Sequence, residues 1–360
     1  MQQPTAVQQR AAIRVDLTSS LGGRRSGALD ALLAEVPELG TDVRATLSWS
    51  SRVGDLVPGP GLGRTLELWE TLASTAALDV GVARVLEPHL DALSILDQAP
   101  AGTDLSGLDL DGPHTWGVFA AEGPGTCLEA RADGDRWVLD GVKPWCSLAA
   151  DLSHALVTAW TSTGRRLFAV ALRSDGVEPA AGPWVSRGLQ QVVSAPVTFT
   201  AVRAVPVGDD GWYLTRPGFA WGGIGVAAAW WGGAVGVARD LYDALRDREP
   251  DQLALAHLGA VDTHLAAARA SLLDAAAAVD SDRPVTAPSV LARRVRGAVA
   301  RTVEEVLVRS AHARGPGPLT SDETHARRVA DLAVYVRQHH AERDEAFLGK
   351  ALLAAGARPW

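Results

Sequence analysis

The stretch Trp116–Ala159, WGVFAAEGPGTCLEARADGDRWVLDGVKPWCSLAADLSHALVTA, decides the fold of this chain. Its apolar runs are short and are separated by Gly, Pro and Asp, the punctuation of strands and turns. Trp116–Ala120, Leu128–Ala132 and Arg136–Asp140 read as strands, and Asp133-Gly134-Asp135 as the tight turn between the last two. His154–Trp160, Leu167–Leu172 and Val192–Val202 continue the pattern, rich in β-branched residues. Together they predict a small antiparallel barrel or sandwich over residues 113–207.

On both sides of this unit the pattern is helical. Gly27–Val36 and Leu62–Ala99 have apolar residues at helical spacing, and Leu66, Trp69, Leu72 and Ala73, then Ala76 and Val80, trace one stripe. The loop 57–63, VPGPGLG, admits the second segment, and Pro88 is expected to kink or restart it. After residue 207, Asp240–Asp247, Asp251–Ala278, Pro288–Ala313 and Asp322–Ala355 have lengths that suit an antiparallel bundle with short loops. The expected class is α+β, with an N-terminal helical domain (1–112), a middle antiparallel β domain (113–207) and a C-terminal four-helix bundle (208–360).

Composition excludes several functions. The net charge of −8 argues against nucleic-acid binding, which needs a cationic face. Cys127 and Cys146 form no C-x-x-C pair, and no His cluster at zinc spacing accompanies them; buried reduced thiols in a cytoplasmic protein are expected, with no metal. Phe219–Ala238 is uncharged over a length able to cross a bilayer. It is also rich in Gly and Ala with a central Trp pair, and a buried helix with no membrane role is the expectation. The chain has 12 Trp against 3 Tyr and 5 Phe, which suits core packing or an aromatic cofactor pocket.

Two linked motifs in the β unit carry a resemblance. Ala121-Glu122-Gly123-Pro124-Gly125-Thr126-Cys127 resembles the Thr-Glu-Pro and Gly-Ser-Asp pattern of the first flavin-facing strand of acyl-CoA dehydrogenases. Glu122, Gly125 and Thr126 match it, while Ala121 stands where that family has a Thr. Gly141-Val142-Lys143-Pro144-Trp145-Cys146-Ser147 resembles the family's Gly-x-Lys followed by Trp-x-Ser or Trp-x-Thr. The resemblance implies flavin adenine dinucleotide (FAD) as cofactor, with Trp145 packed on the isoalloxazine ring, Ser147 bonded to its N5–O4 edge and Cys146 between them. Strand alternation agrees, since residues two apart point to one face. A β-hairpin with a merely packed Trp and a turn-capping Ser is the plainer alternative.

The C-terminal part matches in outline. Val197-Thr198-Phe199-Thr200-Ala201-Val202-Arg203, then Pro217-Gly218-Phe219, resembles the family's passage into its bundle. Arg248 and Gln252 stand where the family binds the flavin pyrophosphate across a subunit interface, with His257-Leu258-Gly259 in place of the aromatic-Gly pair. The Gly-Gly-x-Gly flavin loop is reduced to Arg314-Gly315-Pro316-Gly317, leaving Gly315 and Gly317. A homodimer or homotetramer is implied.

The family's catalytic Glu, in an aromatic-Glu-Gly-Thr motif, has no counterpart in Tyr335-Val336-Arg337-Gln338-His339-His340-Ala341-Glu342. His339 and His340 lie nearest its place, and neutral imidazole suits a general base. Adjacent residues on a helix diverge by about a hundred degrees, so one of the two is expected to face the pocket. Related flavin monooxygenases on this fold also lack the Glu. Glu67, Glu70, His89 and Asp91 are weaker candidates on the N-terminal helices, read first as a solvated or salt-bridged face. Three functions follow: a flavin-dependent oxidoreductase of an acyl thioester or similar small carbonyl compound, a flavin-dependent monooxygenase, or a degenerate non-catalytic member.

Overall fold

The structure, a computed structural model, describes residues 14–17, 27–110, 112–134, 136–247, 249–281, 287–356 and 358. The N-terminal part is helical: α1 (Gly27–Leu39), α2 (Val43–Gly54), α3 (Thr65–Leu78) and α4 (Val80–Asp97). Helix α2 had no counterpart in the sequence reading. The long segment after the VPGPGLG loop divides at Asp79 rather than at Pro88. Asp79 leaves the helix with φ −151°, and its carboxylate accepts from Val82 N at 3.0 Å, capping α4. Pro88 lies inside α4 without ending it.

Among the described residues the strands fall between Trp116 and Val207: β1 (Trp116–Phe119), β2 (Leu128–Asp133), β3 (Arg136–Ser147), β4 (His154–Trp160), β5 (Arg165–Ala171), β6 (Val177–Pro179) and β7 (Ser194–Val207). Their order is β1-β4-β2-β3-β7-β5, with β6 on β7 and β5 pairing back to β4. The run β4-β2-β3-β7-β5 thus closes on itself, around a core that includes Leu139, Val157, Phe168 and Phe199. The hairpin of β2 and β3 pairs Asp133 with Arg136, and Gly134 takes φ +64°, which only Gly adopts freely. One expectation needs correction. The sheet is mixed, because β1 and β2 both run parallel to β4. A single helical turn at Leu148–Leu152 follows β3, and β4 then enters the sheet away from β3 instead of folding back on it.

Helix returns with α5 (Trp212–Thr215), α6 (Pro217–Arg246), α7 (Gln252–Val279), α8 (Pro288–Arg314), α9 (Gly317–Ser321), α10 (Glu323–Tyr335) and α11 (Glu342–Ala354). The apolar stretch Phe219–Ala238 lies within α6, which packs against α3, α7 and α8. A Cβ at Gly232 would stand 2.1 Å from the Ala73 carbonyl oxygen, so α3 and α6 touch backbone to backbone. Among the described residues no helix is long and apolar enough to cross a membrane. The last expected helix is broken. After a 3-10 turn at Val336–Gln338 the chain is extended at His339, Ala341 takes φ +47°, and Asp344 accepts from His340 N at 3.0 Å. That carboxylate ties the extended segment to the first turn of α11.

Candidate functional site

Strand β3 slips register against β7 between Lys143 and Cys146, a bulge in which Trp145 takes φ +59°. A bulky residue in this backbone region is uncommon, and such strain concentrates at functional sites. The bulge turns the Trp145 ring outward, 61% exposed, at the edge of a small cleft. Ser147 lines the same cleft, joined by Trp116 and Phe119 of β1, Leu148, and Arg84 of α4. Trp145 and Ser147 line this one cleft while Cys146 between them is buried, the alternation expected of a strand.

The Ser147 hydroxyl lies 2.7 Å from that of Ser194 on β7, and Arg84 Nη2 donates to Ser147 Oγ at 3.1 Å. From Arg84 a chain of polar contacts runs inward. Its Nη1 stands 3.5 Å from Glu87 Oε2, and Tyr335 at the end of α10 donates its hydroxyl to the same oxygen at 3.2 Å. The Arg84 guanidinium also covers the Tyr335 ring, 5.7 Å from its centroid. Burial pushes the Glu87 carboxyl up and the Tyr335 phenol well up, against the pull of Arg84 and Arg296. Arg296 of α8 stacks on Trp230 at 4.6 Å and donates to the Gln338 carbonyl at 3.0 Å.

His339 follows directly. Its ring meets Trp230 edge-on at 6.5 Å, and its Nε2 is buried with no hydrogen-bond partner among the described residues. Desolvation lowers its pKa, with Asp344 opposing, so the ring favours the neutral form. His340 is turned to solvent, with Nδ1 3.7 Å from Asp344. His339 does not line the Trp145 cleft; it connects to it through Arg296, Tyr335 and Glu87.

The other expected residues are placed differently. Glu122 accepts from the buried Lys143 ammonium at 2.7 Å and pairs with Arg165 at 3.0 Å, so its carboxylate is committed inside the β unit. Thr126 donates its hydroxyl to Gly123 O at 3.0 Å and stabilises the turn in which Gly125 takes φ +72°. Cys146 points away from Trp145 and Ser147 into the core. Its thiol donates to Lys143 O at 3.3 Å, and burial pushes its pKa up to about 12. Gly315 and Gly317 bound the turn between α8 and α9 and do not line the cleft. Arg248 lies outside the described residues. Of the weaker candidates, Glu67 pairs with Arg64 and Glu70 accepts from Leu17 N. His89 accepts from Trp116 N, and its pKa falls to about 4 through burial. Asp91 lines a second cavity beside Glu87.

The sequence reading missed Arg84, Glu87 and Arg296. Their signal was ordinary charged residues on helices, and only packing brings them to Ser147 and Tyr335. No carboxylate–imidazole cluster suited to a metal occurs among the described residues.

Trp145 and Trp116 supply aromatic surface, and the Ser147 hydroxyl and Arg84 guanidinium supply donors at one edge.

No family model matches the sequence, and no curated protein matches it. Solved structures do match the fold. Butyryl-CoA dehydrogenase of Megasphaera elsdenii superposes with TM-score 0.77 at 16% identity, over 92% of this chain and 100% of that one. A glutaryl-CoA dehydrogenase of Mycobacterium smegmatis, solved with FADH2, gives 0.72 at 16%, over 91% and 95%. The dibenzothiophene monooxygenase TdsC of Paenibacillus sp. A11-2, solved also with FMN, gives 0.71 at 20%, over 90% and 97%. The helices, mixed sheet and helices of this chain therefore form an acyl-CoA dehydrogenase-like fold.

Proposed function

We propose that this chain is a flavin-dependent oxidoreductase of a small molecule, with FAD held between the β unit and the C-terminal helices. The observation that carries the reading is the outward Trp145, strained at φ +59° beside a Ser147 hydroxyl already met by a guanidinium. Trp145 would flank the ring, Ser147 and Arg84 would donate to its N5–O4 edge, and the leucines and Phe119 of the cleft would exclude water. When bound, the flavin supplies an electron sink. In the dehydrogenase form of the reading, His339 would take a proton from the carbon next to the carbonyl of an acyl thioester or similar substrate that extends past the Trp145 cleft to the Arg296 side. Its lowered pKa leaves Nε2 able to accept at neutral pH. His340, exposed beside Asp344, is the weaker base candidate.

The domain limits at 112 and 207, a four-helix bundle after them and a cytoplasmic location belong to the same reading. So does a homodimer or homotetramer, in which Arg248, Gly315 and Gly317 of a neighbouring copy reach the flavin pyrophosphate. One observation favours a monooxygenase instead: position 339 carries an imidazole where proton abstraction in this fold uses a carboxylate.

Anaerobic titration of purified protein decides between them. A yellow protein bleached by acyl thioesters without a reductase supports dehydrogenation. A yellow protein bleached only by a reductase, and reoxidised by oxygen with substrate hydroxylation, supports the second reading. Protein that neither carries nor takes up flavin defeats both.

A further inference from the structure

His339 sits in the break between α10 and α11, where helical hydrogen bonds no longer hold the backbone. The peptide that joins it to Gln338 is fixed at both ends all the same. Its N–H donates to the Val336 carbonyl at 3.0 Å, and its C=O accepts from Arg296 Nη2 at 3.0 Å. We infer that Arg296 is a positioning residue for His339: its guanidinium holds the imidazole against Trp230, in the orientation in which the ring takes a proton. The inference deepens the dehydrogenase form of the flavoenzyme reading and rests on it.

The argument rests on what one planar group touches. Arg296 Nη1 donates to Gly223 O of α6 at 2.7 Å while Nη2 reaches Gln338 O, so a single fork spans α6 and the break. The flat face of the same guanidinium lies on the Trp230 ring, 4.6 Å from its centroid. Trp230 is wholly buried, and the His339 ring meets it edge-on at 6.5 Å. Arg296 thus fixes both the backbone that carries the imidazole and the indole on which the imidazole rests. The ring also lies close to α8, since a Cβ at Gly297, the residue after Arg296, would stand 3.9 Å from His339 Nε2.

Four charges surround the imidazole. Arg296 and Arg301 come from α8, Asp344 and Glu345 from α11, and α6 presents only the uncharged Trp230. Arg301 pairs with Glu345, and Asp344 Oδ2 stands 3.9 Å from His339 Nε2. Arg296 spends its donors on carbonyls instead of a carboxylate, so its charge still opposes protonation of the ring. A lysine at this place would keep the charge but could not reach both carbonyls while lying flat on an indole. Hold and charge can therefore be separated by substitution.

The test is histidine-selective NMR on the flavin-loaded protein, with steady-state kinetics beside it. The loss of one signal in His339→Gln assigns the ring. In wild type the His339 ring protons should show a nuclear Overhauser contact to Trp230 and titrate below the ordinary histidine range. Arg296→Met should weaken that contact, move the titration upward and lower kcat by about tenfold or more, with KM close to wild type. Arg296→Lys should move the titration less, because the charge stays, and still lower kcat. A wild type without the His339–Trp230 contact overturns the inference before any variant is made. An unmoved titration or wild-type kcat in a folded Arg296→Met or Arg296→Lys protein also overturns it, because a mere brace would lower the melting temperature alone. A risen KM at wild-type kcat does the same. Normal turnover of His339→Gln defeats the choice of base alone, and protein that takes up no flavin defeats the flavoenzyme reading alone. The contact and the titration need neither turnover nor flavin, so they still decide whether Arg296 holds the ring.

Discussion

Arg84 Nη2 and Ser147 Oγ stand 3.1 Å apart, although 63 residues separate them in the chain. The contact ties α4 to the end of β3 at the point where a flavin edge would meet the protein. Ser147→Ala removes the hydroxyl and leaves the guanidinium with one partner fewer. A loss of about 1 kcal/mol, roughly fivefold in flavin affinity, is expected. Fluorescence titration of flavin-free protein measures it. Unchanged affinity in both Ser147→Ala and Trp145→Ala would remove the ring from this cleft.

The two histidines should separate cleanly. His339 is half-buried against Trp230 and His340 is exposed. His339→Gln is expected to lower turnover on the order of a hundredfold with flavin still bound, and His340→Gln to leave it within a fewfold of wild type. The wild-type rate should fall at acid pH as the His339 imidazole is protonated, and that limb should sit below the ordinary histidine range. Normal turnover of His339→Gln places the base elsewhere.

Lys143 is 1% exposed and depends on Glu122 at 2.7 Å and Thr158 Oγ1 at 2.9 Å. Glu122→Ala leaves a buried ammonium without its counter-ion beside a second cation, Arg165. Such removal typically costs about 3–5 kcal/mol, here reduced because Glu122 is partly exposed. Lys143→Met, which removes the charge and keeps the bulk, should cost less. Urea midpoints of the two variants test the order, and the reverse order refutes this account of the pair.

Asp331 is buried and accepts from Leu189 N at 2.5 Å, fastening the loop before β7 to α10. Burial, with Asp79 nearby, raises its pKa to about 6. The folded state therefore keeps a proton between about pH 4 and 6 that the unfolded chain releases. This group's contribution is full below about pH 4 and is lost as pH rises through about 6, on the order of 2–3 kcal/mol. Asp331→Asn keeps an acceptor without the charge. Its melting temperature relative to wild type should rise between pH 4 and pH 7, and a flat difference contradicts the raised pKa.

Two helical glycines should respond oppositely to alanine. A Cβ at Gly232 would meet the Ala73 carbonyl, and Gly232→Ala should destabilise by 2 kcal/mol or so through a forced shift of α3. A Cβ at Gly259 on α7 meets nothing within 4 Å, and Gly259→Ala should stabilise by about 1 kcal/mol. Thermal unfolding of both variants checks the contrast.

Much of the architecture was legible because its signals are local. Turn chemistry at Asp133-Gly134 and alternating β-branched residues mark β2, β4 and β5 nearly to the residue, and small residues mark α6 as a buried helix. What escaped depends on distant partners. The parallel pairing of β1 and β2 with β4 follows from a crossing that no spacing reveals. Alternation puts Cys146 on the face opposite Trp145 and Ser147, and its thiol is buried there; what no spacing reveals is the bulge that gives Trp145 its positive φ. Arg84 and Glu87 looked like any exposed pair three apart on a helix. Their burial comes from Ser147 and Tyr335, which lie on other elements.

The closed ring β4-β2-β3-β7-β5 bears on how this protein behaves when crowded. Open sheet edges invite strand addition by neighbouring chains and so seed aggregation. Here the longest strands, β3 and β7, are each paired on both sides. The margins left over belong to β1 and β6, of 4 and 3 residues, and to the 6-residue β2, which meets β4 at Glu129 alone. A template that short supports little intermolecular pairing. The β unit should resist fibril formation even when the surrounding helices are loosened by heat or denaturant.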